Sequence, residues 1–570
     1  MQAAHKMAVA RGKKPAQKVI RNARIINVFT REIEEGDIAI EDGIIMGIGS
    51  YEGREETDLE GSYVAPGFID GHVHIESSMV SPGQFANVIL PKGTTTIIAD
   101  PHEIANVCGG EGIRYMIESS DASPLDVFMM IPSSVPATPH ETAGATITPA
   151  DVDMLSREKN VLGLGEVMNY PGVIEAEEDI HEKLRIMKGK VIDGHAPSLL
   201  GADLEAYIAA GVMTDHECST VEEMLARIRR GMYVHLREGS ATRNVKPLLE
   251  GVDEQNARRL LFCTDDKHPE DIRLEGQINY NINLAIDAGM SPLLAIQMAT
   301  LNAAECYRLE GYGGIAPGYA ADLVVFDSLE RIEPRLVFKK GEKVAEDGAP
   351  LKRAADVENS AVLDTVNIDP GAVDLDLKLS TPHVKVIGLV DKNITTRALE
   401  RDVRVENGRY VNDPGDDILK LAVVERHRGT NGAGVGLVEG FGIKNGAIAM
   451  TIAHDSHNLV IVGDTDRDMR LAMETITDIG GGIVLVKDGR VDETLPLEVG
   501  GIMSKRSASD VASTLESMKK TIRGMGLNER IDDPFISLAF LSLPVIPDLK
   551  LTDKGLFDVR TFELVPIEND

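Results

Sequence analysis

The feature that most constrains this chain is a series of eight short apolar runs between Phe68 and Leu309, each ending in polar or ionisable residues. They read GFIDGHVHI, TTTIIADPH, DVFMMIPSS, VLGLGEVMN, KVIDGHAPS, GVMTDHECS, MYVHLREGS and LLFCTDDKH. Runs this apolar suit parallel strands buried on both faces. Helical patterns such as LGADLEAYIAAG and TVEEMLARIRRG lie between several of them. Eight strand-plus-helix units predict a (β/α)8 TIM barrel of α/β class; a doubly wound open sheet is the alternative. In either fold ligands gather at the C-terminal strand ends, where the polar residues of each run fall.

The flanks read differently. KVIRNARIINVFT and GDIAIEDGIIMGIGS alternate apolar and polar residues around an EDG turn, and SYVAPG closes the block. GYGGIAPGYAADLVVFD and RLVFKKGEKVAEDG supply similar strands far downstream. Residues 1–66 and 311–358 are therefore expected to pair into one small β domain around a barrel of residues 67–310. Residues 359–570 mix strands, Gly turns and an amphipathic helix and are expected to form a separate C-terminal α/β domain. A chain of 570 residues is too long for one core in any case.

A formal net charge of −32 argues against nucleic acid or an anionic membrane as partner. Cys108, Cys218, Cys263 and Cys306 are scattered without a CxxC pair, so neither a disulfide framework nor a thiolate zinc site is expected. No apolar run approaches a bilayer span, and the basic KMAVARGKKPAQK lacks the apolar stretch of a signal peptide; the expected location is cytoplasmic.

The run ends carry the chemistry. His72 and His74 stand two apart on the first strand, so both imidazoles face one side. Glu166 ends the fourth run, His195 the fifth, His216 the sixth and Asp265 the eighth. Each alone could be a satisfied polar group. Together, four imidazoles and two carboxylates at converging strand tips suit two first-row divalent cations. Two cations sharing a water bring its pKa toward neutrality and supply a hydroxide, whose proton a metal-binding carboxylate can accept. Metal-assisted hydrolysis of a polarised C=N or C=O bond is the implied class.

PGFIDGHVHIESS, the later single histidines and the strand-eight Asp265 resemble the amidohydrolase superfamily. GTTTIIADPHEIANVCG, GLGEVMNYPGV, CTDDKHPEDI, VVERHRGTNGAGVGLVEGFG and AHDSHNLVIVG extend the likeness, over nearly the whole chain, to the adenine deaminase branch. The resemblance implies a distorted barrel with a small β-sandwich built from both flanks, and His72, His74, Glu166, His195, His216 and Asp265 as ligands. It implies Mn(II) or Fe(II), with Zn(II) also compatible with the ligand set, and a homo-oligomer, dimer or larger. The implied reaction is hydrolytic deamination of adenine, a small purine base, to hypoxanthine and ammonia. Many relatives bridge their metals with a carboxylated lysine; here Lys159 and Lys188 fall outside the fourth run and Glu166 takes the place. The HxE…PCxxC pattern of the zinc nucleobase deaminases is missing. The alternatives are an amidohydrolase acting on a cyclic amide, an N-acetyl sugar or a modified purine, and a non-catalytic scaffold, which should have lost ligands.

Several further roles are expected. Asp265 takes the proton of the attacking water and passes it to the leaving amine. Glu238, at the end of the seventh run, protonates the ring nitrogen N1, its alternative being an ion pair with Arg237 or a polar loop place. His268 helps to move protons. Asp100 and His102, with Glu103, orient metal-bound histidines, form an auxiliary metal site or only stabilise a loop. Glu76, Ser77 and Arg237 are placed against substrate. AHDSHN (454–458 with Ala453) resembles a metal motif, but with no convergent scaffold it is read as a polar turn closing over the site.

Overall fold

The computed structural model describes residues 2–391, 393–413 and 415–569. All eight runs become strands: β1 Phe68–Val73, β2 Thr94–Ala99, β3 Asp126–Ile131, β4 Val161–Val167, β5 Val191–Gly194, β6 Thr214–Asp215, β7 Tyr233–Arg237 and β8 Leu260–Cys263. β1 to β5 form one parallel sheet and β6 to β8 another. At the β5/β6 seam, Met213 N donates to Ile192 O at 2.9 Å and Gly194 N to Thr214 Oγ1 at 3.2 Å. At the β8/β1 seam, Asp265 N donates to His72 O at 3.0 Å and His74 N to Asp265 O at 3.2 Å. The ring closes with two irregular seams, which is a distorted barrel.

The expected helices pack outside. LGADLEAYIAAG gives Gly201–Ala209, and TVEEMLARIRRG gives Val221–Ile228, started by a capping box between Thr220 and Glu223. Beneath the strand tips lie two buried carboxyl groups. Asp70 accepts from Thr264 Oγ1 (2.6 Å) and Gln277 Nε2 (2.9 Å), and Asp193 from Thr214 Oγ1 (2.8 Å) and Tyr307 OH (3.0 Å). These bonds satisfy groups that would otherwise be costly to bury.

The flanks meet in one nine-stranded sheet. Tyr63–Pro66 pairs in parallel with Ala16–Asn27 and antiparallel with Leu323–Phe326, so the two ends of the chain segment are stitched strand to strand. The C-terminal region holds an eight-stranded mixed sheet with helices Asp466–Asp478 and Ala508–Gly524, and a small sheet of Leu549–Thr552, Gly555–Asp558 and Glu563–Leu564.

Candidate metal centre

His72 and His74 leave the end of β1 with their Nε2 atoms 3.1 Å apart. His74 Nδ1 donates to the carbonyl of Asp100 at 2.9 Å, which fixes the tautomer and leaves the Nε2 lone pair free. Burial, and then the neighbouring His216, push His72 down to about 3, so its imidazole is neutral, the form that binds a metal. Glu166 stands at the centre of the cluster. Its Oε1 lies 3.3 Å from His74 Nε2, while its Oε2 lies 2.7 Å from His195 Nδ1 and 3.4 Å from His216 Nε2. Asp265 Oδ1 lies 3.0 Å from His74 Nε2 and 3.5 Å from His72 Nε2.

Three overlapping trios, His72–His74–Glu166, His72–His216–Asp265 and Glu166–His195–His216, each bring their ligand atoms within 4.8 Å of one another. One carboxylate whose two oxygens face two different imidazole groups has the form of a bridge between two cations. The donor set fits a pair of divalent ions: four imidazoles with two carboxylates and no thiolate. Burial alone would raise Glu166 and Asp265. Glu166 is nevertheless held well below the usual carboxylate range by His102, His195 and His216, and Asp265 by Arg237, His72 and His74.

The surrounding chain places these groups. Asp100 Oδ2 accepts the backbone N–H of Glu166 at 2.9 Å. The approach is so close that a Cβ at Gly165 would sit 2.1 Å from that oxygen, which is why a glycine precedes Glu166. Ser133 Oγ donates to Glu166 O at 2.6 Å. Tyr207 OH accepts from His195 N and donates to Val167 O, tying the tips of β5 and β4 together. Asp265 holds a left-handed φ of 58°, a conformation that costs a non-glycine residue on the order of 1 kcal/mol; the two backbone bonds at the β8/β1 seam hold it there.

Residues 63–361 match the amidohydrolase family model, and residues 393–563 match the adenine deaminase C-terminal domain. Adenine deaminase 2 of Carboxydothermus hydrogenoformans is 50% identical over 98% of this chain and 98% of its own. The adenine deaminases of Clostridium acetobutylicum (98% of this chain, 99% of that one) and Geobacillus kaustophilus (99% of each) are each 48% identical. The chain belongs to the adenine deaminase family.

In this family member a cavity of about 510 Å³ opens over the cluster. From the barrel it is lined by His74, His102, Glu103, Glu166, His195, His216, Glu217, Arg237, Asp265 and Asp266, among others. The C-terminal region supplies much of the opposite wall, including His454, Asp455, Phe540, Val545, Ile546 and Phe562.

The structure brings some further expected residues to this cavity and turns others away. Arg237 is there: its Nη1 donates to Asp265 Oδ2 at 2.5 Å and contacts Glu217 Oε1. His102 Nδ1 lies 3.1 Å from Glu166 Oε1. Glu238 is not among the lining residues. The chain after β7 turns back on itself through a bridge between Glu238 and Arg243, and the Glu238 carboxyl faces Arg243 (3.6 Å) and the N–H of Val245 (3.4 Å). Glu238 thus stands off the wall of this cavity, and the ion pair it makes is with Arg243. Glu76 and Ser77 lie in a short 3-10 turn, Ile75–Ser78. Glu76 Oε1 accepts from Ile104 N at 3.2 Å and Ser77 Oγ donates to Asp266 at 2.5 Å. With His268, whose ring faces Asp533 at 3.8 Å, they line a small cavity that adjoins the larger one through Ala241, Asp266, His454 and Phe540.

Sequence reasoning missed Glu217, Asp266 and the apolar wall. Glu217 directly follows His216 in DHECS and Asp266 directly follows Asp265, so adjacency to a candidate ligand was the available signal. Phe540, Val545, Ile546 and Phe562 carried none, since only the tertiary fold brings them within reach of the barrel.

Proposed function

We propose that this member of the adenine deaminase family hydrolyses adenine to hypoxanthine and ammonia in the cavity above β1 to β8, as a step of purine salvage and adenine breakdown in the cytoplasm. The observation that carries the reading is the placing of Glu166, one oxygen toward His74 and the other toward His195 and His216. His72, His74, Glu166 and Asp265 would hold one cation, and Glu166, His195 and His216 the other, with Mn(II) or Fe(II) as the pair. Bound there, the two cations would polarise the ring and lower the pKa of a shared water toward neutrality.

The chain's own residues supply the rest. Asp265 stays ionised beside Arg237 and so can take a proton at Oδ1, on the side of His72 and His74, and return it to the departing amine. Asp266 is a carboxyl group that lines the cavity beside it and is oriented by Ser77 Oγ; it takes the part of N1 acid first given to Glu238. The rings of Phe540 and Phe562 give a flat purine an apolar wall, while Glu217 and Arg237 offer polar edges. The C-terminal wall narrows the access of water to a site where electrostatic effects then act more strongly. The family suggests a homodimer or larger assembly.

The test is a substrate panel. Protein purified with Mn(II) supplied is given adenine, adenosine, guanine, cytosine and a hydantoin, and ammonia release and the ultraviolet spectrum are followed. Adenine should be turned over at least tenfold faster than the others. A hydantoin preferred over adenine would move the chain's chemistry to cyclic amides.

A further inference from the structure

Resting on the two-cation reading, a fifth imidazole stands at the cluster. His102 opens the helix His102–Asp121 after β2, is buried, and directs Nδ1 to within 3.1 Å of Glu166 Oε1 with no hydrogen-bond partner. Its ring lies 4.5 Å from that of His74, centre to centre. The opposite nitrogen, Nε2, faces Glu103 Oε1 at 3.4 Å and Asp455 Oδ1 at 3.9 Å. A proton on Nε2, drawn toward these carboxylates, leaves the lone pair on Nδ1, aimed at the metal space. A carboxylate behind a histidine is the arrangement that orients metal-bound imidazoles.

Glu103 is in turn held from the other domain. His454 Nδ1 donates to Glu103 Oε1 at 2.7 Å. His457 Nδ1 accepts from Ala453 N at 3.2 Å, which puts the proton of a neutral ring on Nε2, and Nε2 is in direct contact with Glu103 Oε2. Arg426, fully buried, braces this loop by donating to His457 O, to Thr365 O at 3.1 Å and to Gly500 O at 2.9 Å. These contacts give AHDSHN the partner that the barrel loop supplies and the sequence did not reveal. The ligand atoms of Glu103, His454 and His457 lie within 4.8 Å of one another, so the loop closes on Glu103 as a clamp.

We infer that His102 is an additional ligand of the cation held by His74 and Glu166, and that the C-terminal domain keeps it in place through His454, His457 and Glu103. His454 and His457 are positioning residues: they touch neither the cations nor their ligands and act through Glu103.

The experiment measures cation content and retention against a chelator in the full chain, with the absorption spectrum of the Co(II)-loaded protein as a second readout. His102→Asn and Glu103→Gln should weaken retention of one of the two cations about 10- to 100-fold and change the Co(II) spectrum. His457→Asn should do the same through Glu103. Parent-like retention and an unchanged spectrum in His102→Asn would overturn the ligand assignment. A weak His102→Asn beside a parent-like His457→Asn would overturn the part given to the C-terminal domain. If His457→Asn does not fold, His454→Asn decides that part, since it removes the other C-terminal contact to Glu103. Glu166→Gln is the control. If it retains both cations, the two-cation reading itself fails; if it loses them while His102→Asn does not, only this inference falls.

Discussion

Glu166 shows how much one side chain can organise. It is buried, its N–H is taken by Asp100 and its carbonyl by Ser133, and its carboxylate points into the cluster. Gly165→Ala should push Asp100 away, shift Glu166 and lower cation content, because the new Cβ would lie 2.1 Å from Asp100 Oδ2. Elemental analysis checks this; full occupancy would show that the strand tip can yield. The acid at N1 is settled by a pair of variants. Asp266→Asn should lower kcat about 10²-fold or more with both cations retained, whereas Glu238→Gln should leave turnover near that of the parent. The reverse ranking would restore Glu238. These two residues also mark where sequence reading stopped at this scale. The convergence of the six candidate ligands was legible because strand periodicity fixes which way a residue at a strand tip points. Glu238 lies just past its strand, where the turn to Arg243 decides direction, and no periodicity reports that turn.

Among elements, the apolar runs were the readable part, since a strand buried on both faces leaves a nearly continuous apolar record. Even the two-residue strand Thr214–Asp215 was marked by its run. The loops were not, and neither was the docking of the segment 540–562 over the barrel, which depends on contacts between residues far apart in sequence. Within that segment Lys550 lies buried in the strand Leu549–Thr552, donating to Ile394 O and Phe540 O, and burial pushes it down to about 7. Below that pH both folded and unfolded chains carry the proton. Between about 7 and the ordinary value of 10.5 the unfolded chain holds it and the folded chain does not, so this residue's contribution to stability rises with pH there. The slope approaches about 1.4 kcal/mol per pH unit. Denaturant unfolding of the parent and of Lys550→Met should therefore show the parent gaining on the variant from neutral to alkaline pH. A constant difference would mean that Lys550 stays protonated in the folded chain.

At the scale of the whole molecule, three regions meet around one cavity. The barrel carries every residue of the two-cation cluster, the flanking sheet joins residues 16–66 to 323–350, and the C-terminal region closes the far wall with Phe540, Val545, Ile546 and Phe562. Among the described residues no helix is long and apolar enough to cross a membrane. Removing apolar wall by Phe540→Ala should raise KM for adenine several-fold more than it lowers kcat, since the ring would act on substrate binding and not on proton transfer. Steady-state kinetics checks this, and an effect confined to kcat would place Phe540 in the chemistry instead. The most direct measurement of the central claim is a titration of metal-free protein with Mn(II), following ammonia and hypoxanthine formed from adenine. The two products should appear in equal amounts, and activity should rise to a plateau at two cations per chain. No ammonia from adenine at any loading, or a plateau at one cation, would contradict it.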